Sequence, residues 1–294
     1  MEDSSLHLFD PRNGDVSLQI ETFNSSEQLK ASQRTNYFTI YWIQQGEGSF
    51  SADIQEYPFS ENSLLFFNPY QSFQFFPQKS LTGFVIRFHA NFLCIETHHE
   101  EVGCNGVLFN DIYGAPLVQL NEKSSMEFFR LIDEMGNEIR DHALAHSEIL
   151  LSYLKIFLVR STRLKIQQSL LESPVSPVPP VLDDLKQLIE GDFRNTHSPA
   201  VYAEKLNVSP KVLARFTQKY WRKTLSEVIR ERVLKQAKWE LLHTLKPVKQ
   251  IAGELGFQDS FYFSRLFKRS TGCSPLFFRE YETLIRDGRN LSMQ

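Results

Sequence analysis

An α+β chain of two domains is predicted: an antiparallel β-barrel trailed by two helices, then an all-α domain with two helix-turn-helix units. Three observations carry this. The hydrophobic period changes from about two residues to about 3.6 near Glu122. The stretch Ser173–Pro180, SPVSPVPP, holds four prolines in eight residues, which makes it extended and stiff. The last third of the chain repeats itself at an offset of 49 to 50 residues. These divide the chain into a first domain over 1–172, a linker over 173–181 and a second domain over 182–294.

With 294 residues, 41% hydrophobic and 23% charged, the composition is that of globular domains. No run of 18 apolar residues occurs and the N-terminus is acidic and polar, so neither a membrane span nor a signal peptide is expected, and the cytoplasm is the expected compartment. Three scattered cysteines, Cys94, Cys104 and Cys273, suit a reducing environment and ordinary thiols. The net charge of -3 conceals a division: Ser198–Gln294 carries 18 Lys plus Arg against 9 Asp plus Glu, whereas the rest carries 14 against 26. A basic end on an acidic body points to a polyanion as partner.

Strands are read from Val16 to about Leu120, and they are expected to form an antiparallel barrel or sandwich. NYFTIYWIQQ (36–45) is β-branched and aromatic, GEG (46–48) is a turn, and SLLFFNP, SFQFF and TGFVIRFHA repeat the pattern at hairpin spacing. The first 100 residues hold 18 of the 38 aromatics, more than the core of a small barrel usually takes; the surplus is either core or the lining of a ligand cavity. Phe128, Phe129, Ile132, Met135 and Ile139 then recur at helical spacing, and Ile149, Leu150, Tyr153, Leu154, Phe157 and Leu158 make a second stripe. That second helix packs in the core or pairs with its copy in a dimer, for which Leu150, Tyr153, Leu154 and Phe157 are the candidate contacts, with Lys155 and Arg160 at the rim.

Beyond the prolines the chain reads as about seven helices. Ser198-Pro199, Ser209-Pro210 and Ser274-Pro275 each place a capping serine before a proline at the first helical position. Thr224-Leu-Ser-Glu227 is a capping box that opens a long helix over 225–243. In the repeat, Ala203 and Leu206 return as Ala252 and Leu255, and Leu213, Arg215, Phe216 and Lys219 return as Phe263, Arg265, Leu266 and Arg269. The offset grows by one between the two sets, so the second unit has a turn one residue longer. Asn207 and Gly256 open these turns, and both residue types tolerate the left-handed backbone that a reversal needs. The units span about 198–220 and 247–270.

On a helical wheel Phe263, Leu266 and Phe267 face one way, and Ser260, Phe261, Ser264, Arg265 and Lys268 the other. The first unit matches, with Leu213, Phe216 and Thr217 inward and Lys211, Ala214, Arg215 and Gln218 outward. Small residues flanked by Arg and Lys on a capped helix suit the major groove of duplex DNA. Arg265 pairs either with an acid such as Glu254 or with DNA, and its recurrence at Arg215 favours DNA. Phe261 suits either a thymine methyl or a domain seam.

IAGELGFQDSFYFSRLFKRSTGCSP (251–275) closely resembles the second helix-turn-helix of AraC-type transcription regulators. The first unit, with KTLSEVIRERVLKQAKWELLHT, resembles the first helix-turn-helix and connecting helix, so the likeness covers residues 182 to 285. It departs at Thr217-Gln218 and Trp221-Arg222, where the family often has Phe-Lys and Thr-Gly; the first recognition helix is therefore expected to dock differently or read fewer bases. The strand-rich half resembles, through weaker motifs, the family's cupin-like sensing and dimerisation domain. The resemblance implies a homodimeric transcriptional activator that binds a double-stranded operator, works with RNA polymerase and senses a small-molecule effector.

For that effector, Tyr41, Trp42, Arg87 and His89 are the candidate residues: Arg87 and His89 share a face of one strand, which lines the barrel or meets water. A metal is not expected, since no His-x-His occurs and the adjacent His98 and His99 would point to opposite faces of a strand. Nor is a cofactor or catalysis, in the absence of a nucleophile elbow, a phosphate-cradling glycine loop or paired-carboxylate spacing. The rival readings are a regulator controlled by a protein partner and a cupin-type enzyme with a DNA-binding appendage.

Overall fold

A computed structural model describes residues 5–10, 14–25, 27–53, 55–93, 95, 107–109, 111–171 and 179–286. The proline run up to Val178, Cys94, Cys104, His98 and His99 lie outside them. Contacts group the chain into two units, Met1–Asp111 with Ala115–Glu172, and Ile112–Gly114 with Ser173–Gln294.

In the first unit β1 (Ser5–Phe9), β2 (Val16–Phe23), β3 (Phe38–Gln45), β6 (Ser63–Phe67), β8 (Thr82–Phe88) and β9 (Leu117–Gln119) form one sheet in the order β1-β2-β8-β3-β6-β9. A second sheet holds β4 (Gly48–Ala52), β5 (Gln55–Phe59) and β7 (Phe73–Pro77) in the order β5-β4-β7. Every pairing is antiparallel. The two sheets do not close into one barrel, so of the barrel and sandwich forms that the strand pattern allows, the strands take the open, two-sheet form.

The larger sheet is covered on both faces. Ile20, Ile40, Trp42, Phe66, Phe84 and Ile86 pack beneath α1 (Glu122–Asp141) and α2 (His146–Leu171), while Tyr41, Ile43, Leu65, Phe67 and Val85 pack against Phe50, Phe73 and Phe75 of the smaller sheet. Burial on both faces removes the apolar-polar alternation of a one-sided sheet, and it accounts for the unbroken apolar runs of β3 and β6. It also accounts for the aromatic surplus, because the chain fills two cores rather than one. Asn121 caps α1 by accepting from the Ser124 amide.

The second unit comprises seven helices among the described residues: α3 (Pro180–Asp192), α4 (Pro199–Lys205), α5 (Pro210–Phe216), α6 (Leu225–His243), α7 (Val248–Glu254), α8 (Ser260–Thr271) and α9 (Pro275–Ile285). Ser209 and Ser274 cap as their sequence suggests, accepting from the amides of Val212 and Phe277, and Thr224 and Glu227 form the reciprocal box. Ser198 occupies the cap position of α4 without a side-chain bond; its own amide instead donates to Thr196 Oγ1.

Four residues (206–209) join α4 to α5 and five (255–259) join α7 to α8, which is the added residue that the shifted repeat implied. Asn207 and Gly256 take φ of 54° and 83°, and Ala203 and Ala252 are fully buried beside them. A Cβ on Gly256 would come within 2.4 Å of the Arg194 carbonyl oxygen. Gly256→Ala therefore combines left-handed strain of about 1–2 kcal/mol with a backbone clash. It should lower the thermal unfolding midpoint of the helical unit, whereas Asn207→Gly should leave it nearly unchanged. Equal midpoints for the two variants would contradict this account of the turns.

Candidate nucleic-acid interface

Aspartate begins the second recognition helix: the Asp259 carboxylate accepts from the Phe261 amide at 2.8 Å and caps α8. Phe263 and Phe267 then turn into the core and Leu266 is half-buried, so the opposite face is left to solvent. On it stand Phe261, 77% exposed, Arg265, Lys268 and the half-buried Ser260 and Ser264. The Ser264 hydroxyl donates to the Ser260 carbonyl at 2.9 Å, and its lone pairs remain able to accept. Arg265 has 73% of its side chain exposed, and its nearest acid is Asp259 at 4.0 Å. Glu254, the acid considered from sequence, instead receives Lys246 at 2.6 Å and Gln250 at 2.9 Å. The hydrogen bond from Lys246 holds its carboxyl below the usual glutamate range. An exposed pair at 4.0 Å is weak and screened, so the Arg265 fork can be taken over by a base edge or a phosphate.

In α5 and the turn that follows it, Leu213 and Thr217 are buried while Lys211, Ala214, Arg215 and Gln218 are exposed. The helix does not continue regularly. Thr217–Trp221 forms a π-helical turn, Trp221 is buried, and Arg222 closes the turn at φ 56°. Fifty residues on, Gly272 does the same service for α8 at φ 87°. The sequence departure at Trp221-Arg222 thus has a structural form: a bulky residue anchors the turn, and a non-glycine residue takes the left-handed position at a cost of about 1–2 kcal/mol. Lys219 and Tyr262, unassigned from sequence, are also exposed on these helices. The wheel could have found both, since Lys219 adjoins Gln218 and Tyr262 adjoins Phe261.

Of the four residues considered for an effector, Arg87 and Tyr41 meet, while Trp42 lies on the opposite face of the sheet. Arg87 donates to Glu21 at 2.6 Å and to the Tyr41 hydroxyl at 3.4 Å, and Tyr41 donates on to Gln33 at 3.2 Å. Burial raises the Glu21 carboxyl, but Arg87, together with hydrogen bonds from Ser5 and Gln19, leaves the group below its ordinary range. Trp42 lies on the other face of the sheet against Phe84, with ring centres 5.7 Å apart. His89 follows the end of β8 and pairs with Asn91 and the edge of Tyr37. Between the sheets Tyr41, Phe50, Phe67, Phe73 and Phe75 interlock, Phe67 stacking on Phe73 at 4.2 Å. A small cleft of about 30 Å³, open to solvent, lies elsewhere, between α1 and strands of the large sheet. Leu6, Ile20, Phe84, Phe129 and Ile132 line it, with Asp133 and Arg140 also on its wall.

The stripe considered for dimerisation is also redirected. Leu150, Leu154 and Phe157 are fully buried within the protomer, Phe157 meeting Phe128 edge to face at 4.7 Å. Of the four candidates Tyr153 alone keeps partial exposure, and the apolar residues that α2 presents outward beside it are Ile149 and Ile156.

Two tight helix pairs, each presenting a cationic second helix and separated by the 19-residue α6, define a DNA-binding protein of the helix-turn-helix class. The profile of a helix-turn-helix domain family matches residues 202–281. The chain is 22% identical over 271 residues to YfiF of Bacillus subtilis, an HTH-type transcriptional regulator, covering 88% of this chain and 81% of that one. It is 33% identical over 128 residues to the arabinose operon regulatory protein of Salmonella typhimurium, covering 43% of this chain and 45% of the relative. Among solved structures, the C-terminal domain of AraT, a response regulator from Geobacillus stearothermophilus, is similar at 29% identity and a TM-score of 0.34, over 36% of this chain and 88% of that domain. The C-terminal end of the chain thus carries a helix-turn-helix domain, and the chain is similar to transcriptional regulators of the AraC type. No helix among the described residues is long and apolar enough to cross a membrane.

Proposed function

We propose that the protein is a cytoplasmic, homodimeric activator that reads two successive major-groove segments of a double-stranded operator with each C-terminal domain, engages RNA polymerase there, and responds to a small molecule held by its N-terminal domain. The twice-repeated exposed face, Lys211, Ala214, Arg215 and Gln218 on one helix and Ser260, Phe261, Ser264, Arg265 and Lys268 on the other, carries this reading. α6 spans roughly 28 Å at 1.5 Å per residue, which suits helices set about one turn of DNA, roughly 34 Å, apart. Arg265 and Arg215 are assigned to guanine edges and Lys211 and Lys268 to phosphates. The regular α8 is assigned more of the specificity than the shorter α5. Tyr41, Trp42, Arg87 and His89 are the proposed effector residues, with Arg87 already engaged by Glu21 and Tyr41.

Binding titrations on an operator selected by the full-length protein test the reading. Arg265→Ala should cost about 1–3 kcal/mol and relax preference at one base position, and Arg215→Ala the same or less. Lys268→Ala should weaken all sequences alike and reduce the salt slope by about one. An Arg265→Ala protein with unchanged affinity and preference would refute the groove-reading role.

For assembly, the outward face of α2 around Ile149, Tyr153 and Ile156 is the proposed interface, an apolar strip suited to its own copy. Ile149→Glu with Ile156→Glu should convert a micromolar dimer to a monomer by light scattering while circular dichroism stays unchanged. A wild-type protein that is monomeric with and without DNA would refute dimerisation.

A further inference from the structure

Arg279 stands on α9, yet its guanidinium is spent on the connection between α6 and α7. Its Nε donates to the Leu241 carbonyl at 3.0 Å, and its Nη2 donates to the Lys246 carbonyl at 2.7 Å. Leu241 lies in the last turn of α6, where backbone carbonyls lack an intrahelical partner. Lys246 lies beyond the helix end, just before Pro247, the residue that precedes α7. One rigid fork thus fixes the chain on both sides of its bend.

The same bend is held by a second set of ties. The Lys246 ammonium bridges Glu240 of α6 at 3.1 Å and Glu254 of α7 at 2.6 Å. Glu240 is nearly buried and also accepts from Gln236 at 3.2 Å. The Thr244 hydroxyl donates to the Glu240 carbonyl at 2.7 Å. Most of these bonds fall within ten residues of the bend, whereas Arg279 is 33 residues beyond Lys246. It therefore couples the orientation of α7 and α8 to the end of the domain.

We infer that Arg279 is a positioning residue for DNA recognition: it locks the angle between α6 and the second helix pair, and so sets the phase at which α8 meets the groove relative to α5. The inference rests on the proposed reading of both helices as groove readers. Arginine suits the task because its planar fork can serve two carbonyls at once, whereas lysine offers a single point of charge. Adding or removing one base pair displaces a half-site by about 3.4 Å and rotates it by roughly 35°, which a locked pair cannot follow.

The test uses full-length protein and a duplex that the wild type selects from a random 30-base-pair pool, together with two derivatives carrying one base pair more or fewer between the contacted segments. Wild type should lose at least tenfold in affinity on both derivatives. Arg279→Lys and Arg279→Gln should bind the selected duplex more weakly, with a spacing penalty below threefold and an intact far-ultraviolet dichroism spectrum. Variants that keep the wild-type penalty would overturn the inference, as would a wild type that tolerates all three spacings. An Arg279→Lys protein that fails to fold would also overturn it, by showing the residue to be structural. A wild type whose selected duplex has a single contacted segment would instead overturn the two-groove reading on which the inference rests.

Discussion

The backbone reversal inside each helix pair is the constraint on which the recognition surface depends. At Asn207 and Gly256 the chain turns through positive φ, with a fully buried alanine on the helix before it. A larger side chain at either alanine would push the second helix outward, and a β-branched residue at either turn would not adopt the left-handed backbone. With the reversal fixed, the phase of α5 and α8 follows: hydrophobic residues fill one side, and the arginines stand on the other. The charge that distinguishes this end of the chain is therefore displayed by geometry as well as by composition.

Much of this end was legible in the sequence because its determinants are local. Serine or threonine caps, proline at the first helical position and a residue tolerant of positive φ each act within four residues, and the repeat supplies the last of these twice, at Asn207 and Gly256. The one-residue difference between the turns could be read from the alignment offset alone. The π-helical turn at Thr217–Trp221 could not. Sequence marked Trp221-Arg222 as a departure, but whether the indole is buried or exposed depends on what packs around it. Ser198 likewise carries the cap signature and leaves it unused.

The first unit was legible in its elements and less so in their assembly. Alternation and β-branching located β3, β6, β7 and β8, yet a period of two says nothing about which edges meet, so an open pair of sheets and a closed barrel read alike. The stripe Leu150, Leu154, Phe157 illustrates the same limit, because an apolar helix face looks identical whether it is covered by its own sheet or by a second protomer. Its burial beside Phe128 moves any partner surface to Ile149 and Ile156. Arg87 and Tyr41 meet on one face of the large sheet and Trp42 lies on the other, which follows from strand alternation once β3 is placed between β6 and β8.

Both helix pairs are tied to α6, the first through the turn closed by Arg222 and the Thr224 capping box, the second through the bend at Thr244–Pro247. A hydroxyl-radical footprint of the full-length protein on its selected duplex tests most directly whether they act as one reading head. Two protected segments about 10 base pairs apart on one face of the DNA, from each C-terminal domain, are expected. Protection confined to a single segment per domain, or two segments on opposite faces, would contradict the account.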